Sequence, residues 1–155
     1  MLHREYQTQV CSVARSLEVV GERWSLLIVR SVLQGVVRFD DLKEALGITR
    51  SVLTTRLQHL CAEGVLERTP YSDRPPRFEY RVTEKGAELW PLLAHLLRWG
   101  DKYYPEPAGA PLLVEHAECG GAPDGNLVCD RCGTSLRAAN VEVRPGPGSP
   151  AVAEG

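Results

Sequence analysis

The sequence predicts a mainly helical α+β domain followed by a small module that carries cysteines. Three observations support this fold class. Apolar residues repeat at helical spacing in four successive segments, two short alternating segments follow, and three of the five cysteines cluster near the C-terminal end. A length of 155 residues suffices for a domain plus a small module, and 43% hydrophobic with 25% charged residues is typical of a water-soluble globular protein.

Four helices are predicted in the first part of the chain, and each is followed by a glycine that can end it. They occupy residues 9–20, 22–34, 39–46 and 49–63. The hydroxyl of Thr49 can cap the fourth helix, and the spacing of Leu53, Leu57 and Leu60 predicts its buried side.

Two strands are predicted next, at residues 65–69 and 78–82, with the turn-rich loop "PYSDRPPR" between them. Thr83 then caps a long helix that reaches residue 104, and Pro91 should kink it because proline cannot donate a backbone hydrogen bond. This order of elements is that of a winged helix-turn-helix. In that fold the third and fourth helices read DNA and the hairpin is the wing.

Several separated landmarks also occur together in known regulators. They are the early Cys11, "GERW" at the second helix, "RFDDL" in the third, "LTTRLQHL" in the fourth and "EYRVTEKG" after the hairpin. In these landmarks residues 8–104 resemble the HxlR-type winged-helix regulators of bacteria, relatives of the MarR group. The resemblance implies a homodimer, paired through its first and last helices, that binds operator DNA and represses or activates nearby genes. We expect repression, not activation, of these genes.

The fourth helix is expected to meet DNA with its polar side, since its leucines face the core. Hydroxyls can bond base edges, arginine reads guanine bidentately, and the N-terminal part of a recognition helix lies nearest the bases. The predicted base-reading residues are Arg50, Ser51, Thr54 and Thr55, beside the cap Thr49. The predicted phosphate or minor-groove contacts are Arg56 and His59, Arg74 and Arg77 in the wing at residues 70–77, and Arg38 before the third helix.

Charge supports this prediction only mildly. Residues 1–104 carry 15 Lys+Arg and 13 Asp+Glu, whereas residues 105–155 carry 3 and 7, which together give the net charge of −2. Residues 50–81 hold six arginines against four acids. For each single residue the alternative is therefore a solvent-exposed side chain that does not contact DNA. The prediction of DNA binding depends on the order of the helices and strands more than on charge.

The segment "HAECGGAPDGNLVCDRCG" contains two short knuckles, His116 with Cys119 and Cys129 with Cys132, each ending in glycine. Three thiolates and one imidazole make a closed tetrahedral set for a structural Zn²⁺. The predicted zinc-ribbon-like module at residues 112–143 has few apolar residues, so a metal would supply the stability that a core cannot. The alternatives are free thiols in a flexible tail and a redox pair of Cys129 with Cys132, which lacks the thioredoxin-like frame typical of such pairs.

Proline and glycine mark residues 105–111 as a linker to this module and residues 144–155 as a disordered tail. The chain shows no signal peptide and no apolar run that could span a membrane, so we expect a cytoplasmic protein. No phosphate-binding glycine loop, nucleophile elbow or paired carboxylates are recognisable, so an enzyme is not expected.

Cys11 aligns with the early cysteine that several HxlR-like regulators use to sense oxidants or electrophiles. The resemblance therefore implies a redox-sensing candidate and an oxidant or small-molecule effector. The alternative for Cys11 is a small buried hydrophobe at the dimer interface. Cys61 lies among the core positions of the fourth helix, so a buried hydrophobe is the stronger interpretation there. Two other functions stay open: a regulator that responds to zinc, and an adaptor that docks a partner protein through the zinc module.

Overall fold

The computed structural model describes residues 10–150, and the chain divides into two compact units between Ala87 and Glu88. The first unit contains α1 (Ser12–Val20), α2 (Ser25–Leu33), α3 (Phe39–Leu46), α4 (Arg50–Ala62), β1 (Leu66–Asp73), β2 (Pro76–Val82) and α5 (Glu84–Ala87). The second contains α6 (Trp90–Tyr103), β3 (Leu112–His116), a single 3₁₀ turn (Ala138–Asn140) and β4 (Val141–Pro145). Gln9, the predicted start of the first helix, and the last part of the predicted tail lie outside the described residues.

The first unit is a winged helix-turn-helix, as the order of its elements predicts. Its core is formed by aliphatic side chains of the helices and of the first wing strand, all with at most 2% of their surface exposed: Ile28, Val29, Leu42, Leu53, Leu57, Leu60, Val65 and Leu66. Because the leucines of α4 are buried on one side, packing offsets the weak helix propensity of the threonines on the other.

Local signals define the ends of α3 and α4. Gly47 ends α3 with a left-handed φ of 62°, a conformation that glycine adopts without steric cost. Thr49 then caps α4, and its hydroxyl oxygen accepts a hydrogen bond of 3.4 Å from the backbone N–H of Val52. These two residues fix the short turn that sets the first residues of α4 beside α3.

The wing strands are longer than predicted. β1 and β2 form an antiparallel pair from Leu66↔Val82 to Asp73↔Pro76, with an irregularity between Pro70 and Ser72, so most of the predicted loop at residues 70–77 is strand. Proline is tolerated here because Pro70 lies on β1, which pairs with no strand but β2 in the described chain, and because Pro76 is the first residue of its strand.

The predicted long helix is in fact two helices. Thr83 caps α5 as expected, since its hydroxyl oxygen accepts a 3.1 Å hydrogen bond from the N–H of Gly86. The chain then turns before Trp90, and Pro91 lies in the first turn of α6. A backbone N–H has no partner within the helix at that position, so proline starts a helix there instead of kinking one.

In the second unit β3 and β4 pair antiparallel from Leu112↔Pro145 to His116↔Val141. The N–H of Gly146 donates to the carbonyl of Pro111 at 2.8 Å, and β4 itself extends beyond residue 143. The predicted tail therefore begins later than residue 144. None of the helices within residues 10–150 combines the length and apolar composition that a membrane crossing requires.

Candidate functional site

The N-terminal half of α4 presents polar side chains to solvent, as predicted. Arg50, Ser51 and Thr55 are exposed and Thr54 is half-buried. The hydroxyl of Thr55 donates to the carbonyl of Ser51 at 3.0 Å, which leaves its oxygen able to accept a hydrogen bond from a ligand. This face offers donors, acceptors and one cation within two turns of helix.

Arg50 is held by two residues of α3. Its guanidinium donates to the carboxylate of Asp40 at 3.1 Å, and its central carbon lies 4.8 Å from the centroid of the Phe39 ring. Both members of the ion pair are exposed, at 68% and 79%, so the pair adds little stability. It orients the guanidinium at the start of α4, where a recognition helix would meet the bases.

Arg56 and His59 lie on another side of α4. The Arg56 side chain is only 12% exposed and its guanidinium lies 3.5 Å from the carboxylate of Glu22. The His59 ring nitrogen Nε2 lies 3.1 Å from the carbonyl oxygen of Val19. These contacts favour a role in holding α4 to the rest of the unit, and phosphate contacts from either residue remain a prediction.

Arg74 and Arg77 are exposed at the end of the wing hairpin. Arg38 lies instead at the base of the wing, where its guanidinium is 3.4 Å from the Glu79 carboxylate and 4.7 Å from the centroid of the Tyr71 ring. The wing arginines can therefore reach an anionic ligand freely, whereas Arg38 would have to exchange its partners. The sequence could not indicate Tyr71, since its position beside Arg38 depends on how the wing folds back.

The second unit brings all four predicted metal ligands together. The ligand atoms of His116, Cys119, Cys129 and Cys132 all lie within 4.8 Å of one another. The Nδ1 atom of His116 is 3.2 Å from the sulfurs of Cys119 and Cys132, and the sulfurs of Cys119 and Cys129 are 3.4 Å apart. His116 is 2% exposed, so it faces this cluster and not solvent.

The two knuckles have matching backbone geometry. In the first, the N–H of Gly120 donates to the carbonyl of His116 at 2.8 Å. In the second, the N–H of Gly133 donates to the carbonyl of Cys129 at 2.9 Å. Both glycines have left-handed φ values, 68° and 76°, which explains the predicted glycine after each second ligand. Paired knuckles of this kind turn their side chains toward a common centre.

The four ligands differ in their exposure. Cys129 is buried, Cys119 is half-buried and Cys132 is exposed. Hydrogen bonds from the hydroxyl and the backbone of Thr134 lower the pKa of the Cys132 thiol to about 6. A readily formed thiolate is the form that coordinates a soft or borderline metal ion, so this thiol is prepared for a metal. The chemistry of the set suits a metal with nitrogen and sulfur ligands.

The two other cysteines lie outside this cluster. Cys11 is exposed and occupies the N-cap position of α1, as the sequence predicts for a residue near the start of that helix. Cys61 is half-buried on α4, and burial raises the pKa of its thiol. Cys61 is therefore poorly suited to react with an oxidant, whereas Cys11 is accessible to one.

Two helices present rows of apolar side chains to solvent. On α6 the row has spacings of four, three and four residues and consists of Leu92, Leu96, Trp99 and Tyr103, exposed by 44% to 57%. On α1, Val13 and Leu17 are 66% and 44% exposed. Apolar rows at such spacing are the seams along which helices pair.

Comparison with known proteins agrees with the fold. Residues 19–108 match the HxlR-like helix-turn-helix family. An uncharacterized HTH-type transcriptional regulator of Mycobacterium tuberculosis is 47% identical over 137 residues, 88% of this chain and 87% of that protein. YdeP of Bacillus subtilis, also an uncharacterized HTH-type transcriptional regulator, is 34% identical over 94 residues, 60% of this chain and 73% of YdeP.

Solved structures are similar as well. PA1607, a candidate transcription factor, superposes with a TM-score of 0.61 at 33% identity, covering 93% of this chain and 90% of that one. The redox regulator HypR in its oxidized form gives a TM-score of 0.55 at 32% identity, covering 59% of this chain and 96% of HypR. The likeness to PA1607 thus extends over much more of the chain than the family domain does.

Proposed function

The chain belongs to the HxlR-like helix-turn-helix family, and from this premise we propose that it represses transcription as a homodimer bound to operator DNA. It is a transcriptional regulator of the helix-turn-helix type and not an enzyme. Its place of action is then the cytoplasm, where bacterial DNA lies.

The observation that carries the DNA-reading proposal is the exposed face at the start of α4. Arg50, Ser51 and Thr55 stand together there, next to the N-terminus of a helix whose free N–H groups favour phosphate. Arginine can pair with the O6 and N7 atoms of guanine, and the hydroxyls can bond either base edge. Arg74 and Arg77 in the wing supply charge that fits the phosphates beside the reading site.

The apolar rows on α1 and α6 support the homodimer. Water would contact Trp99 and Tyr103 in a monomer, and a second copy of the chain offers the same row to cover them. Two copies would then place two recognition helices on a palindromic operator. We propose repression, not activation, because a dimer bound at a promoter blocks RNA polymerase sterically and needs no contact with the polymerase itself.

Fluorescence anisotropy with duplexes from the region upstream of the protein's own gene tests DNA binding. We expect binding to a specific duplex whose logarithmic affinity falls linearly with the logarithm of the salt concentration. A scrambled duplex of equal length serves as the control. Absence of salt-sensitive binding, or equal binding to both duplexes, would refute the proposed function.

We propose Zn²⁺ as the ion of the thiol cluster. Three thiolates and one imidazole fill a tetrahedral shell and leave no open position for catalysis, which is the composition of structural zinc sites. Elemental analysis of protein purified from zinc-replete cells should give about one equivalent of zinc per chain. Less than about half an equivalent, or a value that Cys129→Ser does not lower, would contradict the zinc proposal.

A redox response is a second candidate, favoured by the exposure of Cys11 and by the likeness to the redox regulator HypR. We expect mild peroxide treatment to change operator affinity in the wild-type chain but not in Cys11→Ser. An equal change of operator affinity in both proteins would exclude Cys11 as the sensor and leave the thiols of the cluster as candidates.

A further inference from the structure

The C-terminal half of α6 is weakly held by the chain itself. The buried residues of this helix are Trp90 and Ala94, both in its first two turns. Within the described chain none of residues 95–103 is buried. Helices of about 12 to 15 residues are marginal in water without packing, so this half requires another support.

One side-chain contact supplies such support. Arg98, in the middle of this half, donates from Nη1 to the carbonyl oxygen of Pro123 at 2.7 Å. Pro123 belongs to the segment that joins the two knuckles of the thiol cluster, and its backbone forms a β-bridge with Cys129. The contact therefore links α6 to a residue whose partner in that bridge is a metal ligand.

The segment that accepts this hydrogen bond is itself fastened to the second knuckle. The carboxylate of Asp124 accepts hydrogen bonds of 2.8 Å from the N–H groups of Asn126 and Val128. The N–H of Asp124 in turn donates to the carbonyl of Val128 at 2.9 Å. Any change that displaces Cys129 will displace this segment, and with it the acceptor of Arg98.

A metal ion is the natural source of order for this module. Its buried side chains are few, namely Leu127, Leu136 and the two ligands His116 and Cys129. Packing of two leucines cannot hold the knuckles against chain entropy, whereas four coordinate bonds can. The position of the Pro123 carbonyl thus depends on whether the cluster is filled.

Arg98 does not lie on the apolar row of α6. At 3.6 residues per turn it is about 120° around the helix from the middle of the row formed by Leu92, Leu96, Trp99 and Tyr103. The module can therefore hold the helix from one side while a second chain covers the other. The half of α6 that Arg98 holds is the half that carries the aromatic end of the row.

We propose that metal bound at the thiol cluster fastens the dimerisation helix through Arg98 and thereby strengthens the homodimer. This inference rests on the proposed homodimer and adds its regulation. The metal binds the module at residues 112–143 when its knuckles are ordered. The ordered module keeps the Pro123 carbonyl in place for Arg98 and so stabilises the C-terminal half of α6. A second chain then pairs with α6 in this ordered form. Because such coupling is reciprocal, the dimer also binds the metal more tightly than the monomer does.

Sedimentation equilibrium of the full chain, with zinc bound and after removal of zinc by a chelator, tests the proposal. We expect the dimer dissociation constant of the wild type to rise about tenfold on removal of zinc, a size typical of coupled sites. In Arg98→Met, which keeps the aliphatic length but has no donor, the zinc-loaded dimer should already be weak and should change less than about threefold on zinc removal.

Lys102→Met is the matched control for charge, since it removes one positive charge from the same helix. Its Nζ lies 5.1 Å from the centroid of the Tyr103 ring, so the dissociation constant can shift in both metal states, but the fold-change on removal of zinc should equal that of the wild type. Circular dichroism of each protein verifies that most of its total helix content is retained, so that a weak dimer is not the result of an unfolded chain. A dimer with the same dissociation constant in both metal states refutes the coupling alone, and so does an Arg98→Met protein that responds like the wild type. A chain that is monomeric in both states refutes the homodimer itself. No DNA is present, so a failure of operator binding cannot imitate any of these results.

Discussion

The wing arginines offer the sharpest test of how the protein meets DNA. Arg74 and Arg77 are exposed, and within residues 10–150 neither belongs to an ion pair. Their charges are therefore free to replace the cations condensed on phosphates. Each phosphate contact contributes about 0.9 to the slope of logarithmic affinity against logarithmic salt concentration.

The expected magnitude follows from the symmetry of the dimer. A dimer carries two wings, so Arg74→Ala together with Arg77→Ala removes four contacts and should flatten the slope by about 3.6. Between about 50 and 200 mM salt the wild type should consequently lose about 150-fold more affinity than the double variant. Base preference should stay unchanged, because phosphate contacts carry no sequence information.

Anisotropy titrations at several salt concentrations measure this slope directly. The single variant Arg74→Ala is measured as well, and Arg137→Ala is its charge-matched control, since Arg137 is exposed in the C-terminal module and not in the wing. Its slope should equal that of the wild type. The reasoning fails if the wing variant keeps the wild-type slope, or if Arg137→Ala flattens the slope as much as Arg74→Ala alone, which would indicate a general effect of net charge.

Three further changes have definite expected outcomes. Arg50→Ala should cost about 1–3 kcal/mol at one base position and relax its preference in a binding-site selection, and an unchanged consensus would contradict base reading. Gly121→Ala would place a Cβ against the sulfur of Cys129 and should abolish zinc binding, whereas Gly125→Ala, with its nearest neighbour at 3.8 Å, should retain the metal. In metal-free protein Cys132 should be alkylated half-maximally near pH 6, the pKa of its thiol. Thr134→Val should shift this midpoint upward toward the ordinary 9.0, because it removes the hydroxyl that stabilises the thiolate and leaves only the backbone hydrogen bond. An unmoved midpoint would exclude the Thr134 hydroxyl as a cause.

The parts of the fold that the sequence predicts correctly are those fixed by neighbouring residues. The leucine spacing of α4, the cap at Thr49 and the left-handed glycine at residue 47 all act within one or two helical turns. The thiol cluster is also fixed by neighbouring residues, because each knuckle is built from two candidate ligands and a glycine within five residues of the chain. The sequence does not show that the two knuckles lie against each other, because this contact depends on the tertiary structure. The burial of His116 at the end of β3 is a consequence of that contact.

The predictions that changed depend on context that a linear pattern does not contain. The sequence predicts Pro91 inside a helix, yet it lies in the first turn of α6, since proline suits a first turn as well as it disrupts an interior. Arg56 and His59 share the residue types of a DNA-binding face, and the sequence does not show that Glu22 and the carbonyl of Val19 lie beside them in the folded unit. Their phosphate contacts stay a prediction. The role of such an arginine or histidine side chain depends on which groups the tertiary structure places beside it.

The contact between Arg98 and Pro123 shows why such partners escape sequence reasoning. Its acceptor is a backbone carbonyl 25 residues away, and a carbonyl is present at every position whatever the side chain. No residue type at position 123 indicates that its oxygen is the one that will be used. What the sequence does provide is the pair of knuckles on either side, and if metal fixes their geometry, it also selects which carbonyl faces the helix. The proposed dependence of the dimer on zinc thus rests on a tertiary contact, and the sequence shows only the metal-binding motifs at one end of it.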